Sequence, residues 1–180
     1  MIVWPTTKGR EEVRASRRFG AERMGHAHAG VDLGDGGDWV LAAATGDVSG
    51  VRYDAPGPGS MAARPGVDVP RPGAIATGGL FVQIRHEDGS ETRYMHLDKA
   101  LVHEGQRVSA GQVIGIVGKS GFREGSTTAA HLHFEILRDG HRVDPLPILA
   151  EADERTSPHP SRYALALGAI VVLGLVVILA

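Results

Sequence analysis

The stretch His131-Leu132-His133-Phe134-Glu135-Ile136-Leu137 decides how this chain is read. Side chains two apart share a face in a β-strand. His131 and His133 therefore point one way, and Leu132, Phe134 and Ile136 point the other. Two adjacent imidazoles repel when protonated and gain little from packing. As neutral groups they make sense around a metal. A second signal lies far upstream, in His26-Ala27-His28-Ala29-Gly30-Val31-Asp32-Leu33-Gly34. A helix would align His28 with Asp32, but Gly30 and the glycines at 34, 36 and 37 argue against one. An extended segment running into a turn also lets both reach one point. Zinc fits such a set, because it takes imidazole and carboxylate and keeps one position for water when catalytic. Calcium and magnesium would want more oxygen ligands. The HExxH signature of helix-borne metalloproteases is absent from the sequence.

Around these signals, Ala21 to about Pro147 reads as one β-rich unit. Short apolar stretches separated by glycine suit strands: Trp39 to Ala44, Leu80 to Arg85, Thr92 to Leu97, Val113 to Val117, and the His131 run. Leu80–Arg85 and Thr92–Leu97 flank His86-Glu87-Asp88-Gly89-Ser90, which predicts an antiparallel hairpin with an Asp-Gly turn. No convincing helical period with caps is found in this region. Tyr53 to Gly79 is rich in proline and glycine and reads as a long irregular loop.

The chain has 180 residues, enough for one domain at about 150 residues each. A hydrophobic content of 42% excludes wholesale disorder. A net charge of -2 argues against a basic nucleic-acid surface, so no nucleic-acid partner is expected. The chain has no cysteine, which excludes disulfide scaffolds, thiolate zinc fingers and cysteine nucleophiles. The 25 glycines suit tight turns between short strands.

The ends read differently. Residues 1–18 form a polar, basic extension in which no secretion signal is seen. Residues 150–162 read as a polar linker with two prolines. The stretch 163–180, YALALGAIVVLGLVVILA, carries no charge. As a helix it would span about 27 Å, one bilayer core. A lipid bilayer is therefore an expected partner through 163–180. Arg162 before it and no charge after it would leave the folded domain on the cytoplasmic side.

Seven motifs in order give the β-rich unit a resemblance to a known family. They are Phe19-Gly20 with Arg23; His28-x-Gly-Val-Asp32; AATGDV at 43–48; TRYMHL at 92–97; VHEGQRVSAGQVIGIVG at 102–118; HLHFE at 131–135; and Val143-Asp144-Pro145. The chain resembles the lysostaphin-type zinc endopeptidases that cut peptidoglycan cross-links, peptidase family M23, over Phe19 to Pro145. It departs from the pattern in the long stretch after Gly50 and in Ser126-Thr127-Thr128-Ala129-Ala130 before HLHFE.

The resemblance implies a mainly β fold, an antiparallel β-sheet groove with the metal at its floor, over 19–149. It assigns His28, Asp32 and His133 to zinc, and His96 and His131 to catalysis. His131 is favoured as base and His96 as oxyanion partner, roles the sequence does not separate. His26 is a minor alternative ligand. His86, His103, His141 and His159 are expected at the surface, and Asp35 and Asp38 in turns. Glu135 either orients His133 or is an ordinary exposed carboxylate. The implied function is a zinc metalloendopeptidase acting on peptidoglycan peptides. The alternative is a non-catalytic wall-binding module or an activator of another wall hydrolase. A wall enzyme with a tail anchor and no export signal points to a bacteriophage protein, virion-associated or lytic, in a viral or host membrane.

Overall fold

The computed structural model describes residues 1–7, 13–23, 26–54, 78–122 and 126–156. In chain order the strands are β1 (Glu22–Arg23), β2 (His26–Ala27), β3 (Val31–Leu33), β4 (Trp39–Leu41), β5 (Gly46–Asp54) and β6 (Gly79–His86). They continue with β7 (Glu91–Met95), β8 (Leu97–Ala100), β9 (Arg107–Val108), β10 (Val113–Val117), β11 (Leu132–Arg138) and β12 (His141–Val143). Helix α1 (Pro145–Thr156) follows. The mainly antiparallel β architecture matches the expectation.

The larger sheet runs β12-β11-β7-β6-β5-β9, and β3 adds to β11 beside this path. One edge of β11 pairs with β7. Its other edge is shared, with β3 against Leu132 to Phe134 and β12 against Ile136 to Arg138. The apolar face of β11 forms the centre of the core: Leu132, Phe134 and Ile136 are all buried. Phe134 stands opposite Tyr94 of β7, with ring centroids 5.3 Å apart. Such cross-strand aromatic pairs add about 1 kcal/mol beyond their buried area. A second sheet, β4-β10-β8, packs Val40, Ile114 and Val117 into the same core.

The expected hairpin forms from β6 and β7, with Val82 opposite Tyr94 and Ile84 opposite Thr92. The stretch Thr92 to Leu97 is not one strand, however. It divides at His96, whose φ of 63° turns the chain out of the larger sheet and into β8 of the smaller one. A non-glycine residue in this region is strained by roughly 1–3 kcal/mol, and persists only where its surroundings hold it. Here the His96 N–H donates to Gly78 O (2.9 Å), and His96 O accepts from Gly118 N (3.0 Å). Trp39 to Ala44 likewise gives a shorter strand, ending at Leu41.

Helix α1 was not expected. It runs through residues 150–156, the first part of the stretch read as linker, and buries Leu149 and Ala152. Its start is explicable. The Asp144 carboxylate accepts from the Leu146 N–H (3.0 Å), and Pro145 takes the first helical position, where no N–H is needed. Among the described residues no helix is long and apolar enough to cross a membrane. Residues 163–180 and nearly all of the Tyr53–Gly79 loop lie outside the described residues.

Candidate metal centre

Strand register brings the metal-binding side chains together. Asp32 of β3 is the direct cross-strand partner of His133 on β11, and Met95, just before His96, is its partner on the other side. His28 arrives from the small β1–β2 ribbon. Its backbone N–H donates to Ala21 O (2.8 Å), and its carbonyl accepts from Gly20 N (2.9 Å). Gly30 lies between His28 and Asp32 because the backbone there abuts β11. An added Cβ would collide with the Phe134 carbonyl oxygen and crowd His133 Nε2.

The donor atoms form a tight triangle. His28 Nε2 is 3.0 Å from Asp32 Oδ1 and 2.9 Å from His133 Nδ1, and His133 Nδ1 is 3.0 Å from Asp32 Oδ1. All three residues are buried. The outer nitrogens fix the proton positions. His28 Nδ1 is 2.8 Å from Arg18 O, and a carbonyl only accepts, so Nδ1 carries the hydrogen. His133 Nε2 is 3.3 Å from Glu135 Oε1, so in the neutral ring the hydrogen sits there. With both rings neutral, the inner atoms are two imidazole lone pairs and a carboxylate oxygen, with no hydrogen among them. Such a set calls for a cation. Tetrahedral zinc would separate its ligands by about 3.3 Å, given bonds near 2.05 Å, so a small relaxation suffices. Among the described residues these three are the group that could hold a metal ion.

The electrostatics agree. Burial alone would raise the Asp32 pKa, but the close His133 and His28 rings and the nearby His131 hold it well below the usual carboxylate range. Burial opposes charge on His133, yet Asp32 and Glu135 outweigh it and raise its pKa. Positive charge is favoured at this point, whether from a proton or a metal. Glu135 is buried, not an exposed carboxylate. It faces His133 and is itself held by Arg142 Nε (3.0 Å) and Arg93 (3.6 Å), so it fixes the tautomer and orientation of His133.

The two further histidines stand beside the triangle. His131 Nε2 lies 3.5 Å from Asp32 Oδ1, and its Nδ1–H donates to Ala129 O (2.9 Å). His96 Nδ1–H donates to Ser120 O (3.0 Å), and the His96 and His131 rings meet edge-on at 5.2 Å. In both rings the free nitrogen is therefore Nε2, an acceptor. Burial and the neighbouring His131 push the His96 pKa down to about 4, and burial also lowers that of His131. Both are neutral at pH 7. Each is placed to accept a proton or hydrogen bond at Nε2. For His96 to donate to an oxyanion at Nε2, the ring would have to gain a second proton or shift its proton away from Ser120 O.

All five predicted residues thus converge. His86 was misjudged: it is buried, with Nδ1 3.0 Å from Thr45 O and Nε2 2.8 Å from Thr92 Oγ1. The Thr92 and Tyr94 hydroxyls extend this chain at 2.9 Å, and Tyr94 accepts from Ala43 N (2.7 Å). His86 borders a cleft of about 860 Å³ away from the metal triangle, but both its nitrogens are satisfied internally. His103 and His141 are exposed as expected; His159 and the His26 side chain lie outside the described residues. Asp38 accepts from Asp35 N (3.2 Å), the turn role expected of it. One residue escaped the sequence reading: Phe122, whose ring contacts both His96 and His131.

Comparison with known proteins places the fold in a family. The sequence model of Peptidase family M23 matches residues 26–145. The peptidoglycan DD-endopeptidase ShyA of Vibrio cholerae is 43% identical over 68 residues, 38% of this chain and 15% of ShyA. The murein hydrolase activator NlpD of Escherichia coli is 32% identical over 149 residues, 82% of this chain and 31% of NlpD. The chain thus spans less than a third of either relative. Among solved structures, the catalytic domain of the antimicrobial peptidase lysostaphin from Staphylococcus simulans superposes with a TM-score of 0.55 at 26% identity. The superposition covers 77% of this chain and 99% of that domain.

Proposed function

This chain belongs to peptidase family M23, and from that premise we propose that it is a zinc metalloendopeptidase hydrolysing peptide bonds in peptidoglycan stems or cross-links. The observation that carries the reading is the close triangle of His28 Nε2, Asp32 Oδ1 and His133 Nδ1, its sides 2.9 to 3.0 Å, beside the His131 and His96 imidazoles. Zinc, when bound there, would polarise the scissile carbonyl and acidify a water molecule. The chain's own groups do the rest. His131 Nε2 takes a proton from the attacking water as general base and later gives it to the leaving amine, and Asp32 at 3.5 Å favours the imidazolium in between. The Nδ1–H bond to Ala129 O keeps that ring in the accepting tautomer. His96, held by Ser120 and by its backbone, accepts a hydrogen bond at Nε2 across from His131.

A second reading has support in the likeness to NlpD, named a murein hydrolase activator, over 82% of this chain. Here the domain would bind the wall or stimulate another hydrolase without cutting. One experiment separates the two. The full chain, zinc-loaded in detergent, is incubated with purified peptidoglycan with and without a zinc chelator. The released fragments are then sequenced by mass spectrometry. New peptide amine ends that vanish with chelator are expected. Intact peptidoglycan from several wall types after treatment with zinc-replete protein would transfer the case to the activator reading.

We further propose that residues 163–180 anchor the domain to a membrane, in a phage virion or the host cell. The support is their uncharged, apolar composition. Recovery in the membrane fraction, lost on deleting 163–180, is the expected result; equal solubility of both forms would refute it.

A further inference from the structure

His96 is held from several sides by one short segment, Gly118 to Phe122. Gly118 N donates to its carbonyl, Ser120 O accepts from its Nδ1, and the Phe122 ring lies 4.4 Å from its ring at an angle of 32°. The segment is itself tied down, since Leu80 N donates to Ser120 Oγ (2.9 Å). One hydrogen bond at Nδ1 fixes which nitrogen faces the groove. It does not stop the ring from rocking about that bond. Phe122 supplies the missing contact on the flat of the imidazole. The same ring reaches His131, with centroids 5.4 Å apart. His131 and His96 are 5.2 Å apart, so the three rings close a triangle.

We propose that Phe122 is a positioning residue for the hydrolytic reaction: it clamps His96 and His131 in fixed mutual orientation. This rests on the proposed hydrolase reading for its kinetic consequence, but not for its geometric one. The apolar ring lies tilted against both imidazoles, at 32° to His96 and 45° to His131. Without it, His131 keeps its bond to Ala129 and His96 its bond to Ser120, yet each can tilt. A misplacement of about 1 Å in such a pair costs on the order of a hundredfold in rate.

The test compares the full chain, zinc-loaded, as wild type, Phe122→Ala and Phe122→Tyr. Two readouts are taken. The first is kcat and KM on peptidoglycan peptides. Phe122→Ala should lower kcat about ten- to a hundredfold with KM little changed, and Phe122→Tyr should restore it. The second is the rate of carbethoxylation by diethyl pyrocarbonate at each histidine, read by peptide mass spectrometry. In Phe122→Ala, His96 and His131 should react several-fold faster, while buried His86 keeps its rate and zinc content stays that of wild type. Unchanged reactivity at both histidines would overturn the clamp. Loss of zinc or exposure of His86 would instead show a general structural role, and would overturn it too. If the wild type cuts nothing, the hydrolase reading fails, and the reactivity measurement still decides the clamp.

Discussion

Asp32→Asn should yield a folded protein with little affinity for zinc. Asparagine matches aspartate in shape and keeps the Oδ1 acceptor, so the β3–β11 pairing that places it against His133 survives. The charge is lost, and the Oδ2 acceptor becomes an NH2 donor. In the metal-free protein the desolvation cost of that buried charge and its gain from the His28 and His133 rings are lost together, so the net change in stability is small. The thermal midpoint of the metal-free variant should therefore stay within a few degrees of the metal-free parent. Zinc affinity should fall by more than the about hundredfold that a change behind a ligand can cost, because Asp32 is itself one of three donors. Competition with a chromophoric chelator measures the affinity, and hydrolysis should fall to background. Parental affinity in Asp32→Asn would remove Asp32 from the metal site.

His131→Ala should separate chemistry from metal binding. His131 lies outside the donor triangle, although its Nε2 is 3.5 Å from Asp32 Oδ1. The role proposed for it is to accept a proton, an effect worth about 10² to 10⁴ in rate. Steady-state kinetics should show kcat reduced by that factor, while metal analysis shows zinc bound as in the parent. Loss of zinc together with activity would make His131 a ligand instead.

Much of this was legible in the sequence because strand geometry is regular. Period two alone places His131 and His133 on one face and Leu132, Phe134 and Ile136 in the core. The β6–β7 hairpin follows from its Asp-Gly turn, with Gly89 at a φ of 82°. The misses share a cause: each depends on a partner remote in sequence. His86 beside a turn looks solvated until Thr45, forty-one positions away, supplies its carbonyl. The break at His96 is held by Gly78 and Gly118, which no local pattern announces. Phe122 sits in a glycine-containing segment with no periodicity, so its contact with two histidines is a product of the fold. Helix α1 is the exception. Asp144 followed by Pro145 is a local N-terminal signal, and it outweighs the polar composition that suggested a linker.

The central claim is that lone pairs of His28 and His133 and the Asp32 carboxylate converge on one zinc ion. Diffraction from zinc-loaded crystals above and below the zinc absorption edge tests it most directly. The account predicts one strong anomalous peak inside the triangle, bonded to His28 Nε2, Asp32 and His133 Nδ1 with His131 and His96 unbound. A peak ligated by other side chains, or none from protein shown to carry zinc in solution, would contradict it.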